Sequence, residues 1–250
     1  MTYEIGLLPS GHLHCYPLAE SEPQMESPFH RRIVKLFSQE VAEGLFELAV
    51  KWHEQPLSPV WMYWHHFAAR YLKARCLETP GDVIRLPELD FPDDHEVEVL
   101  LATLPPMQGA EYLTAEVLRS VWRALDDWLR QQVLSYENFA GFLVKKAPRW
   151  HQLGRVCFHL AENKDDPDYP FAFMATYSQT VSERGQLRYR PLSQALKEYA
   201  GAKNKQAMIR LLSPVSRAAE NSPLIKDLLD SGDLYYPLAW TAAEAYQFLK

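Results

Sequence analysis

The sequence has little cysteine and little glycine. Three cysteines (Cys15, Cys76, Cys157) in 250 residues are too few and too scattered for a disulfide framework, and a reducing compartment suits them. Ten glycines against eighteen prolines point to stiff connections rather than flexible linkers. No apolar run approaches the ~20 residues that span a bilayer. The first twenty residues carry neither the basic start nor the long apolar stretch of a secretory leader. The expectation is a cytoplasmic protein with no membrane partner. The phosphate-binding pattern G-x-x-x-x-G-K-[ST] is missing, as are G-x-G-x-x-G and G-x-S-x-G. No cysteine pair has zinc-finger spacing. No catalytic residue, metal or cofactor is therefore assigned to this chain.

What is present is enough apolar material for a core: 47% of the residues, with 23% charged. A chain of this length buries roughly 70–75% of its unfolded surface. Seven tryptophans and 12% aromatics indicate a large aromatic core. A net charge of −6 excludes a protein that coats nucleic acid with its whole surface, and leaves room for a local basic patch.

Periodicity outlines the elements. Tyr3–Leu8 and His12–Pro17 read as short strands around the turn Pro9-Ser10-Gly11. Ile33, Phe37, Val41, Leu45, Leu48 and Trp52 predict one helix over 29–54, ended by Pro56 and Pro59. A second helix covers 60–77, with Trp61, Trp64, Phe67, Ala68 and Tyr71 inward and Pro80-Gly81 as its stop. Glu88, Asp90, Asp93, Asp94, Glu96 and Glu98 read as a solvated loop within 82–110. Thr114 caps a helix over 114–134, with Glu116 in its first turn and a stripe of Val117, Val121, Trp122, Leu125, Trp128 and Leu129.

Near residue 150 the period becomes two. Val156, Phe158 and Leu160 alternate, as do Phe171, Phe173, Ala175 and Tyr177, and Leu187 with Tyr189; a turn at 182–185 makes the last two strands a hairpin. Helices follow at Leu192–Tyr199, stopped by Gly201, at Met208–Val215, disturbed at its end by Pro214, and at Leu224–Leu229. Thr241 and Glu244 have capping-box spacing, and the helix they open stops at Lys250 with no stop signal. That suggests a piece of a longer protein. The fold class is α+β: a mainly helical region with short strands over 1–150, then over 151–250 a small mixed or antiparallel sheet with helices. The sheet has the option of recruiting the N-terminal strands.

Few residues suggest chemistry. On a strand, His12 and His14 would share a face beside Cys15 and reach one metal ion, given ligands from elsewhere, which would make a metal-dependent hydrolase. His65-His66 diverge on a helix. Cys157 and His159 share a strand face, but a nucleophile–base pair needs a cleft and an orienting third group; packing is the commoner role. Asp93-Asp94-His95-Glu96 looks like an acidic helicase box, without the strand or the P-loop that would give it meaning. The strongest signal is charge asymmetry. Arg184, Arg188, Arg190, Lys197, Lys203, Lys205, Arg210 and Arg217 face a single acid, Glu198, across 184–217, whereas residues 1–150 hold 14 basic and 21 acidic residues. Arg184, Arg188, Arg190, Lys203, Lys205 and Arg210 are the candidates for phosphate contact.

The last hundred residues carry a resemblance. Phe171-Ala172-Phe173-Met174-Ala175-Thr176-Tyr177 is followed by Leu192-Ser193-Gln194-Ala195-Leu196-Lys197-Glu198-Tyr199-Ala200-Gly201. Leu211-Leu212-Ser213-Pro214-Val215 and Ala218-Ala219-Glu220 come next. Asp230-Ser231-Gly232 and the run Tyr236 to Ala245 close the stretch. This order, over about 168–250, resembles the helicase-associated region that precedes the motor in bacterial Swi/Snf-type helicase-like ATPases. The resemblance implies a non-catalytic accessory module. It implies a parent translocase whose ATP and Mg belong to two motor lobes C-terminal to Lys250, and DNA or a protein as partner. A stand-alone protein-interaction module, using Trp61–Trp64 or the end of the last helix, is the alternative.

Overall fold

The computed structural model describes residues 3–18, 27–51, 57–151, 153–181, 187–201 and 205–250, without the side chains of 179–181, 187, 205–207 and 210. Its elements run β1 (Tyr3–Leu7), β2 (Leu13–Pro17), α1 (Pro28–Gln39), α2 (Val41–Lys51), α3 (Pro59–Glu78), α4 (Asp94–Ala102), α5 (Ala115–Val133), α6 (Phe139–Lys146) and α7 (Pro148–His151). After these come β3 (Val156–Glu162), β4 (Phe171–Val181), β5 (Leu187–Pro191), α8 (Leu192–Gly201), α9 (Lys205–Asn221), α10 (Pro223–Ser231), β6 (Leu238–Trp240) and α11 (Ala242–Leu249). The fold is α+β. The chain parts into two compact units after His151, and no helix among the described residues is long and apolar enough to cross a membrane.

In the first unit, β1 and β2 form a hairpin sheet of their own and are not recruited into the larger sheet. The Leu7 N–H instead donates to Gln108 O at 2.9 Å. Gly109, at φ +77°, lies so close to the Leu7 carbonyl that a Cβ there would collide with it. The Trp61 indole N–H donates to Tyr3 O at 3.0 Å and fastens the hairpin to α3.

The single helix expected over 29–54 is two helices. Glu40 is extended (φ −152°, ψ 108°) between α1 and α2. The apolar stripe misled because α2 is buried nearly all round, Ala42, Leu45, Phe46, Leu48 and Ala49 included, and such a helix needs neighbours on every face. Folding back on α1 supplies one of them: Gly44 has no Cβ, so the Phe37 ring lies against its backbone. Trp52 lies outside the described residues.

α3 follows the sequence closely. Ser58 caps it by accepting from the Trp61 N–H at 3.3 Å, and Pro59 begins it. Trp61, Trp64, Phe67, Ala68 and Tyr71 are all buried, and Phe67 and Tyr71 set their rings edge-on to Trp122 of α5 at 5.9 and 5.1 Å. α5 begins at its Thr114 cap as expected, but its buried line is Leu118, Trp122, Leu125, Leu129 and Val133. Val117, Val121 and Trp128 are only half-buried.

The acidic loop is a correction as well. Asp93 accepts from the Glu96 N–H at 2.9 Å and caps α4, whose first turn carries Asp94 and Glu96. The carboxylates are solvated, as expected, but they favour a helix because they sit at its positive end. The irregular stretch before α4 is held through its carbonyls. Arg130 Nε donates to Leu86 O, Arg75 Nη1 to Pro87 O and Trp122 Nε1 to Leu89 O, at 3.2, 2.8 and 3.3 Å.

His65 lies inside this unit and donates Nδ1–H to Leu48 O at 3.1 Å. Burial pulls its pKa down to about 4. The unfolded chain, near 6.5, therefore takes up the proton first as pH falls. The stability this residue contributes is complete above about pH 6.5 and is lost down to about pH 4. Relative to His65→Gln, the native protein is expected to lose about 3 kcal/mol across that window in urea titrations. Glu4, whose pKa burial raises, works in the opposite direction in both proteins and cancels from the comparison. Identical pH slopes would refute the assignment.

In the second unit β4 is the central strand. β3 pairs along it on one side, and β5 and β6 pair with different stretches of it on the other, all antiparallel. One face of the sheet (Phe173, Ala175, Tyr177, Trp240) packs on Leu192, Ala195, Leu211, Val215, Ala219 and Ala245 from the helices. α9 does not end at Pro214 but runs through it to Asn221. A mid-helix proline costs ~3 kcal/mol; burial of Val215 and Ala219 beyond it offsets that. α11 begins with a complete capping box: Thr241 Oγ1 accepts from the Glu244 N–H at 3.3 Å, and Glu244 Oε2 accepts from the Thr241 N–H at 2.8 Å. The turn expected at 182–185 lies outside the described residues.

Candidate nucleic-acid interface

β5 sets the geometry of the basic run. Its register pairs Arg190 with Tyr177, Tyr189 with Ser178 and Arg188 with Thr180, with a shift between the last two. Directly opposed residues share a face, and Tyr177 belongs to the core. Arg188 and Arg190 therefore share the helix-covered side of the sheet, and both are exposed. Tyr189 lies on the other side, 42% exposed, its ring edge-on to His159 at 5.2 Å. The alternation read from the sequence holds.

Glu198, the one acid in the basic run, is used. From α8 it accepts from Arg190 Nη1 at 2.9 Å, with both side chains about half exposed. An exposed pair of this kind is worth at most ~1 kcal/mol, so a phosphate can take the guanidinium over. Arg184 and Lys203 lie outside the described residues. Lys205 and Arg210 both belong to α9, their side chains undescribed; five residues apart, they stand about 140° apart around the helix. Of the six candidates, the structure brings Arg188 and Arg190 onto one face.

The other candidates come out as structural side chains. His12 does not share a strand face with His14: β2 begins at Leu13, and His12 turns back to within 2.9 Å of Ser10 Oγ. Among the described residues no group of three or more His, Cys, Asp or Glu is placed to hold a metal ion. His159 Nε2 lies 2.6 Å from Thr176 Oγ1, and burial pushes the Cys157 thiol up, which keeps it protonated and a poor nucleophile. Trp61 and Trp64, expected to dock a partner, are 3% and 0% exposed; they serve the core. At the end of the chain Tyr246 and Leu249 are exposed.

Two groupings could not be anticipated from the sequence. Arg75 and Asp126, 51 positions apart, form a buried ion pair. Arg31 and Lys35 line a cleft beside His14; their i, i+4 spacing is the only sequence signal, because β2 and α1 meet only in the fold. No protein-family model, curated protein or solved structure matches this chain.

Proposed function

We propose that this chain is a non-catalytic accessory module of a bacterial Swi/Snf-type, helicase-like ATPase, in which the second unit guides DNA past motor lobes that follow it in the parent protein. One observation carries the reading. The ordered run that resembles the helicase-associated region coincides with the framework of the second unit. Phe173, Ala175 and Tyr177, Leu192 and Ala195, Leu211, Val215 and Ala219, and Trp240 and Ala245 are its buried core. Gly232, at φ +83°, and the Thr241–Glu244 box end and begin its helices. A resemblance concentrated in residues that determine a fold supports a shared fold; the basic strand beside it supports a phosphate-binding role.

Parentage is tested by reading the source gene past the Lys250 codon: a frame continuing into a P-loop is expected, and a stop codon overturns it. The role is tested by anisotropy of a short labelled duplex over a salt series. Arg188→Glu together with Arg190→Glu is expected to weaken binding and flatten the log–log salt slope by ~0.9 for each phosphate no longer neutralised. An unchanged slope removes the interface. Exposed Ile209, Tyr246 and Leu249 favour a second reading, a protein-interaction module, which becomes the leading one if the chain binds no DNA.

A further inference from the structure

The N-terminal hairpin and α1 enclose a cleft of about 660 Å³, within the ~300–1,000 Å³ range of small-molecule sites. Its walls differ in character. Leu13 and Phe37 are buried and, with half-buried Val34, make an apolar floor. Arg31 and Lys35 stand above it on one face of α1, both exposed. Residues four apart on a helix hold their Cβ atoms ~5–6 Å apart, so the two cations flank one spot. Their neighbours are spoken for: Arg32 and Lys51 both bind Glu47, at 3.4 and 3.0 Å. Neither Arg31 nor Lys35 pairs with a carboxylate among the described residues. Across the cleft, His14 adds a half-buried imidazole ring to the lining.

We propose that this cleft binds a small organic anion: a carboxylate, phosphate ester or sulfonate carried on an apolar or aromatic body. The anionic group sits between Arg31 and Lys35, and the body lies on Leu13, Val34 and Phe37 beside the His14 ring. Charge-assisted hydrogen bonds from two converging cations give the selectivity for an anion; the apolar floor gives the selectivity against inorganic ions. Glu4, the buried acid of the hairpin, does not oppose this. Its carboxyl is engaged by Ser58 and by the Ile5 N–H, and burial drives it toward the neutral form. Cys15 also lines the cleft, but burial pushes its thiol up to about 12, so the site is one for binding rather than covalent chemistry. The inference stands independently of any DNA contact by the second unit.

The probe is 1-anilinonaphthalene-8-sulfonate, an aromatic sulfonate whose fluorescence rises when it leaves water. The full chain is expected to bind it, and phenyl phosphate and benzoate to displace it. Arg31→Gln with Lys35→Gln is expected to raise Kd at least tenfold, with an unchanged far-ultraviolet circular dichroism spectrum because both side chains are exposed. Arg188→Gln is expected to leave binding as it is. The neutral analogue N-phenyl-1-naphthylamine should bind weakly and equally to native and variant chains. The proposal is overturned if the sulfonate does not bind, if the double variant binds it as well as the native chain, or if the neutral dye binds as tightly as the sulfonate.

Discussion

Replacing Asp126 with alanine is expected to cost the first unit about 3–5 kcal/mol, a large part of the ~5–15 kcal/mol that holds a domain together. Asp126 is 2% exposed and Arg75 0%, and the carboxylate accepts from Arg75 Nη2, with the Tyr71 hydroxyl donating to the same oxygen at 2.8 Å. Without the carboxylate, Arg75 remains a buried charge whose other partners are neutral: Pro87 O at 2.8 Å and Thr79 Oγ1 at 3.3 Å. Its Nε already has no partner. Removing one partner of a buried pair is far worse than removing both, because the survivor keeps its desolvation cost. Arg75→Met with Asp126→Leu should therefore recover most of the stability, short of the hydrogen bonds to Pro87 O, the Tyr71 hydroxyl and the Leu89 N–H. Urea unfolding followed by circular dichroism decides between these outcomes. If Asp126→Ala shifts the first unit by less than about 0.5 kcal/mol, the range of ordinary surface substitutions, the pair does not anchor this core.

Phe173→Ala is the corresponding change in the second unit, with an expected cost of about 3–5 kcal/mol. Phe173 is fully buried on the central strand. Its ring stacks on Trp240 at 4.1 Å with the planes 11° apart, and Phe248 meets it edge-on at 5.3 Å. The substitution removes a ring held between Phe158, Trp240 and Phe248, and neighbours fixed on paired strands and a packed helix collapse only partly into the space. Trp240 is the one tryptophan of this unit, so in a Trp240→Phe chain fluorescence reports the first transition alone while circular dichroism reports both. Each unit has its own core, so Asp126→Ala and Phe173→Ala are expected to move different transitions. Phe173→Ala is also expected to abolish duplex binding, and Asp126→Ala to leave it, if the basic strand carries that binding. A single shared transition moved equally by both would show that the two cores melt as one.

Helices with a local cap and an uninterrupted stripe were legible. Pro59, expected to end a helix, instead opens α3 behind Ser58, but α5 starts at its Thr114 cap and α11 opens with the capping box read from Thr241 and Glu244. Those signals lie within four residues of each other, so no tertiary knowledge is needed. The alternation on β3, β4 and β5 was legible for the same reason. The split between α1 and α2 was not, because the stripe continues unbroken across Glu40 and only the close approach of Phe37 to Gly44 requires the turn. The passage of α9 through Pro214 was also hidden, since its compensation comes from what Val215 and Ala219 are buried against.

At the candidate interface the division is similar. Sequence counted the cations and placed Arg188 and Arg190 on one side of a strand. The register with Tyr177 decides which side of the sheet that is, and the fold of α8 decides that Arg190 is shared with Glu198. By itself the sequence determined where charge accumulates, which segments alternate at period two or repeat every three to four residues, and which ends are capped, because each of these is a property of neighbours along the chain. Only the tertiary structure decided that Arg75 meets Asp126 and that Arg31, Lys35 and His14 line one cleft. Meetings between residues far apart in sequence depend on how whole elements pack, and packing is fixed by the shape of every buried side chain at once.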